Sequence, residues 1–221
     1  MATKNVFSVV PDFLTEDMCD RICAIADMFK TDWQPGQVHD PNPNSPARNC
    51  DIWFMQGDEL GLADQAIIDE VQAIYTTVDE NLNTVKDQMG LSEWLITNRE
   101  SLQYTQYGEG MQYGWHMDTH DAPYGEGDYE DYMDLNRKLS LTVFLNDFEE
   151  WEGGHFELEN AWNHGPDQPH WRIHQFGPQT DSNIKKGTAV VFPSYCYHRV
   201  TTVFSGLRKS LVGWYLGPEW S

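Results

Sequence analysis

Apolar residues along this chain change their spacing near residue 90. Ahead of that point, Met18, Ile22, Ile25, Ala26 and Phe29 recur every three or four positions, which predicts an amphipathic helix. Thr15 stands where an N-cap belongs, with Glu16 and Asp17 in the first turn and Leu14 in the staple position. A second helical pattern runs from about Asp58 to Met89 through Leu62, Ala66, Ile67, Val71, Ile74, Tyr75, Val78, Leu82 and Val85, with Gly90 as its stop. Val6 to Val10 suggest a short strand ended by Pro11. Thr31 to Asn49 hold four prolines and Gly36 and read as a long loop. Residues 1–90 are thus expected to be mainly helical support.

Beyond Gly90 the runs are short, β-branched or aromatic, and punctuated by Gly, Asn, Asp or Pro. They fall around 101–107, 113–118, 139–145, 154–158, 188–192, 197–204 and 207–216. Strands in that number behind two helices predict an α+β fold, with a double-stranded β-helix (jelly roll) over 91–221 and the helices packed on one sheet. The whole of 1–221 reads as a single domain. Ser205-Gly206 marks a tight turn between the last two strands. His120–Asp134 and Asn160–Ile184 interrupt the pattern as long loops, and loops of such length tend to cover functional sites.

Composition narrows the possible roles. Aromatic residues make up 13% of the chain, too many for a disordered protein. A net charge of −21 with only 14 basic residues argues against nucleic acid and anionic membrane as partners. Cys19, Cys23, Cys50 and Cys196 match no zinc spacing and read as reduced thiols. The sequence has neither a secretory pattern nor an apolar run of membrane length, so a cytoplasmic protein is expected. Oligomeric state is not legible in it.

The chemistry concentrates in Gly114-Trp115-His116-Met117-Asp118. Residues two apart on a strand point to one face, so His116 and Asp118 can grip one metal ion side by side. His198, in a second β-like run, supplies a third ligand. Two histidines and one carboxylate with open positions opposite form the facial triad of non-haem Fe(II) oxygenases. His120 would share the strand face, but three ligands from one strand run parallel rather than converge, and it reads as a loop residue. Arg208, ten residues after His198, could hold a distal carboxylate by a bidentate pair, a requirement that fits 2-oxoglutarate. His155, His164, His170 and His174 read mainly as loop or surface residues.

Three blocks then carry a resemblance. The first is Leu102-Gln-Tyr-Thr-Gln-Tyr107 through His116-Met-Asp118. The second is Leu139-Ser-Leu-Thr-Val-Phe-Leu145 with Glu152-Gly153-Gly154. The third is Lys186-Gly187-Thr-Ala-Val-Val-Phe-Pro193 with His198-Arg-Val and Gly206-Leu-Arg208 to Trp214. In order and spacing they resemble the prolyl 4-hydroxylase family of 2-oxoglutarate/Fe(II) dioxygenases, as does the first helix. The resemblance implies that His116, Asp118 and His198 ligate Fe(II), that Arg208 binds 2-oxoglutarate with Tyr107 as helper, and that Tyr113 and Trp214 line the pocket. It further implies ascorbate as reductant and a prolyl residue in a peptide or protein as substrate. Phe144 departs from members with a tyrosine there. A free amino acid or other small molecule as substrate, a non-catalytic metal-binding jelly roll, and a hydrolytic or isomerising use of the same metal site stay open.

Overall fold

Thr15 does cap the first helix, α1 (Glu16–Met28): its side chain accepts a hydrogen bond from the Met18 backbone N–H at 3.2 Å. The computed structural model describes residues 7–36, 48–56, 63–125, 130–159, 173–180 and 184–218. Within them the second helix, α2 (Gln65–Gln88), begins behind Asp64, later than the apolar pattern suggests; 57–62 lie outside the described residues. Each helix turns one apolar stripe inward: Cys19, Ile22, Ile25 and Ala26 from α1, and Val71, Ile74, Tyr75, Val78, Leu82 and Val85 from α2.

Those stripes cover one face of a large antiparallel sheet. In chain order its strands are β1 (Ser8–Val10), β2 (Gln34–Pro35), β4 (Asp51–Phe54), β5 (Asn98–Arg99), β6 (Gln103–Tyr107), β8 (Leu135–Phe144), β12 (Ala189–Pro193) and β15 (Arg208–Pro218). Their spatial order is β1-β12-β8-β15-β6-β4-β2, with β5 also paired to β15. The remaining strands are β3 (Arg48–Asn49), β7 (Gln112–His116), β9 (Trp151–Gly153), β10 (Phe156–Glu159), β11 (Ile173–Phe176), β13 (His198–Val200) and β14 (Val203–Gly206). Five of them form a smaller sheet, β11-β10-β13-β7-β3, and β9 pairs with β14.

Alternation along the strands sorts the large sheet's two faces, except at one bulge in β8. Tyr104, Leu139, Leu141, Val143, Val191, Leu211 and Tyr215 turn toward the helices. Tyr107, Phe144, Val190 and Phe192 turn toward the smaller sheet and meet Phe156, Leu158 and Val200 there. The cavity opens within this second layer.

The first ninety residues do more than support. Four strands lie among them, and Arg48–Asn49 and Asp51–Phe54, adjacent in sequence, join different sheets. Strands of two to four residues are too short to show a period, which is why the loop reading of 31–49 passed over β2 and β3. The run read as one strand over 197–204 divides into β13 and β14, since Thr201 and Thr202 leave the ladder. Ser205 and Gly206 end β14 rather than forming an isolated turn.

Candidate active site

In the smaller sheet His116 and His198 are direct cross-strand partners, and their ring centroids lie 4.1 Å apart. Strand pairing thus brings together two side chains from distant parts of the sequence. Asp118 stands just past the end of β7. Its backbone N–H donates to the Ser194 carbonyl at 2.9 Å, and that of Thr119 to the same carbonyl at 3.1 Å. The turn after β12 therefore fixes where the carboxylate emerges. Asp118 Oδ1 lies 3.6 Å from His116 Nε2, and Oδ2 lies 3.5 Å from His198 Nε2. One donor atom from each of the three falls within 4.8 Å of the others.

Both histidines turn Nδ1 back onto their own chain. His116 donates to the Gly114 carbonyl and His198 to the Cys196 carbonyl, each at 2.9 Å. A ring nitrogen facing a carbonyl carries a proton, so Nε2 is the nitrogen that each ring can offer to a metal. Two Nε2 atoms and a carboxylate thus converge on one point. A cation at their centre would be held by all three, and N2O donors on one side of a metal suit Fe(II).

Titration agrees with this donor set. Burial, and next the neighbouring charge of His116, push His198 down to about 4. Burial acts to raise Asp118, but His198, His116 and Arg137 outweigh it and hold the carboxyl below the usual carboxylate range. Metal ligands must be deprotonated, and at neutral pH these two are. Because His198 sits below its unfolded value near 6.5, the unfolded chain binds the extra proton between these values. Metal-free stability is therefore expected to fall as pH drops from about 6.5 to about 4, at up to ~1.4 kcal/mol per pH unit. Urea titrations across that range check this, and a flat profile would contradict it.

The donors open into a cavity of about 530 Å3 between the sheets. Arg208 closes its floor. It is the first residue of β15, opposite Tyr107, and only 1% exposed. Its Nη1 donates to Ser210 Oγ at 3.0 Å, while Nε and Nη2 are buried without a partner among the described residues. The guanidinium carbon lies 5.3 Å from the Tyr107 ring and 5.4 Å from Phe144. Burial pulls its pKa below the ordinary arginine value. A buried cation with idle donors is costly unless an anion completes it. Gly154 helps to make the space: at φ +57°, an added Cβ there would press on Val203 at 2.8 Å and on Arg208 Cδ at 3.3 Å.

A model of the 2OG-Fe(II) oxygenase superfamily matches residues 102–216, just over half of the chain. The chain belongs to that superfamily. Fe(II) and 2-oxoglutarate are the metal and co-substrate the family implies. A PKHD-type hydroxylase of Synechococcus elongatus is 34% identical over 114 residues, covering 52% of this chain and 42% of that protein. The chain thus spans less than half the length of that relative. Among solved structures, a prolyl-4-hydroxylase of Pseudomonas putida aligns with a TM-score of 0.60 at 19% identity, over 96% of this chain and 92% of that one. A Trichoplax adhaerens prolyl hydroxylase, in complex with a hypoxia inducible factor peptide fragment, aligns at 0.64 with 18% identity, over 96% and 83%. These two likenesses establish the double-stranded β-helix.

Other residues of this superfamily member owe their place to irregular pairing. Between the registers His198↔His116 and Val200↔Tyr113, β7 carries one residue more than β13, a bulge at Gly114 and Trp115. In a regular strand, positions 113 and 116 would face opposite ways. The bulge turns both inward, and the Tyr113 ring stacks on His116 at 3.6 Å. A second bulge, at Lys138 on β8, lies between Tyr215↔Leu139 and Leu216↔Arg137. It turns Arg137 into the cavity, where its guanidinium lies 4.0 Å from the Trp214 ring. Trp214 lines the cavity, and its indole N–H is buried without a partner among the described residues.

Arg137 stands in no motif of the sequence. In the fold it meets Glu100 through two hydrogen bonds of 2.5 Å, and its Nη1 reaches the Asp118 carbonyl at 3.5 Å. Tyr124 donates to the same carboxylate at 2.7 Å. Glu100→Gln would leave a mostly buried guanidinium uncompensated, and is expected to destabilise the fold by roughly 3–5 kcal/mol. Chemical denaturation checks this, and a loss below about 1 kcal/mol would show the pair to be ornamental.

His120 is not among the converging donors; its Nε2 meets the Tyr124 hydroxyl at 3.2 Å, at the cavity wall. His155 Nε2 meets the Pro178 carbonyl at 2.9 Å, and His174 packs edge-on against Phe7. His164 and His170 lie outside the described residues, as does most of the 160–184 loop, while Ile173–Phe176 form β11. Ser210, which sequence reading passed over, supplies a hydroxyl beside Arg208 where Phe144 supplies none. Among the described residues, no helix is long and apolar enough to cross a membrane.

Proposed function

We propose that this chain is a 2-oxoglutarate- and Fe(II)-dependent hydroxylase acting on a prolyl residue of a peptide or protein. One observation carries the reading: a buried guanidinium with unused donors, Arg208, shares a cavity with three converging metal-donor side chains, His116, Asp118 and His198. Those three would hold the metal, leaving the cavity side open. Arg208, with the Ser210 and Tyr107 hydroxyls near it, would take the distal carboxylate of 2-oxoglutarate. When bound, Fe(II) and 2-oxoglutarate supply O2 activation, coupling oxidative decarboxylation to succinate and CO2 with transfer of one oxygen atom to the substrate.

The protein's own work is positioning and exclusion. The Gly114 and Cys196 carbonyls orient the imidazoles, and the Ser194 carbonyl anchors the carboxylate. Tyr113 and Trp214 would wall the open side and limit water. Ascorbate would serve as the reductant for iron oxidised in uncoupled turnover. The prolyl assignment draws support from the kind of enzyme among the structural neighbours, one of which holds a peptide. The same reading takes 1–221 as one domain and the protein as cytoplasmic.

Succinate release from 2-oxoglutarate by protein loaded anaerobically with Fe(II) tests the reading. Aerobic turnover, with an oxidised peptide heavier by one oxygen in a mass-spectrometric screen, is expected. Absence of both 2-oxoglutarate binding and succinate formation in the wild type would sink it.

A further inference from the structure

Charged side chains lining the cavity comprise three arginines, Arg48, Arg137 and Arg208, and one carboxylate, Asp118. Arg137 is matched by Glu100 behind it. Under the function proposed above, on which this inference rests, 2-oxoglutarate and Asp118 together offset the metal and Arg208. That leaves Arg48. It takes part in none of the ion pairs among the described residues, and its Nε is buried without a hydrogen-bond partner. Its side chain is hydrogen-bonded to the neutral Cys50 thiol, and the Tyr113 ring lies 4.8 Å from the guanidinium carbon.

Placement gives this surplus charge a direction. Arg48 lies on β3, opposite Tyr113 on β7, and Tyr113 is the ring stacked on His116. One aromatic layer therefore separates Arg48 from the metal donors, on the cavity wall where a substrate must lie. In a chain of net charge −21, acidic partners for a surplus arginine are abundant, yet none approaches this one among the described residues. A guanidinium in a partly desolvated wall, with no carboxylate beside it among the described residues, is matched in geometry and charge by a carboxylate.

We propose that the substrate to be oxidised carries a carboxylate, and that Arg48 receives it and so determines specificity. The carboxylate could belong to an acidic side chain of a peptide or to a free amino or imino acid; the chemistry at Arg48 is the same. Matched probes separate these sources. They are the proteinogenic amino acids as free acids and as their amides, and a prolyl peptide library with glutamate against glutamine beside the proline.

Calorimetric binding is measured on the protein loaded with Zn(II), which does not turn over, and 2-oxoglutarate. At least one acid probe is expected to bind about tenfold or more tightly than its amide, a difference of ~1.4 kcal/mol. That ratio is expected to fall toward one in Arg48→Gln and to persist in Arg48→Lys. Being a ratio within one protein, it is insensitive to a general loss of folded material. Equal binding of acid and amide, binding of amides alone, or binding of no probe overturns the inference. So does an Arg48→Gln variant whose only change is weaker 2-oxoglutarate binding, since the arginine would then serve the co-substrate. Failure of 2-oxoglutarate itself to bind the wild type would instead overturn the underlying function.

Discussion

Replacing His198 with alanine is expected to lower metal affinity by more than roughly 100-fold, the upper end for loss of even an outer-shell partner, and to abolish succinate formation. The imidazole is 6% exposed, lies opposite His116, and has its Nδ1 already committed to the Cys196 carbonyl. No other histidine, cysteine or carboxylate joins the cluster among the described residues, so no neighbour can replace it. Alanine also leaves a hole beside Phe192, whose ring centroid is 4.8 Å away, so some stability is lost for a reason unrelated to metal. Asp118→Asn separates the two effects. It keeps the size and the Ser194 anchor but removes the charge, and should lose metal with little change in packing. Calorimetric Fe(II) titration under anaerobic conditions reads both variants. Retention of near wild-type affinity by either would remove that residue from the metal site.

Arg208→Met is expected to act in opposite directions on binding and stability. Removing one partner of a buried charge-assisted pair costs roughly 2–5 kcal/mol, so 2-oxoglutarate affinity should fall about 30-fold to several thousand-fold. Without co-substrate the same change deletes a buried cation whose Nε and Nη2 are idle and substitutes an apolar chain of similar length. The thermal midpoint should rise by a few degrees, on the scale of ~2–4 °C per kcal/mol for a chain of this size. The wild type should gain stability on adding 2-oxoglutarate with metal, and the variant should not. A variant both less stable and still responsive to 2-oxoglutarate would mean that Arg208 is structural.

The two strongest sequence signals concern regular structure. The α1 cap at Thr15 and the inward stripe of α2 are set by contacts within a turn or two of helix, and local periodicity reports such contacts directly. The same holds for β8, β12 and β15, where β-branched and aromatic residues mark strands buried on both faces. Much less legible were Arg137, Glu100 and Arg48. None stands in a motif, and each acquires its meaning from a partner far away in sequence: Arg137 from Glu100, and Arg48 from Tyr113. The bulges at Trp115 and Lys138 defeat alternation where it would be most informative, since one inserted residue reverses which face a side chain occupies.

By itself the sequence determined the identities of the donors, a His-x-Asp pair with a distant histidine and arginine, and the helix and strand periods that dictate an α+β sandwich. Residue type and short-range spacing suffice for that, because both act within a few positions along the chain. Only the tertiary structure decided that His116 and His198 stand opposite one another with converging Nε2 atoms, that Arg208 is buried beneath them with donors to spare, and that Arg48 meets no counter-charge among the described residues. Those facts depend on strand register and burial. Both are properties of how distant segments pair and exclude water, and a linear pattern does not encode them.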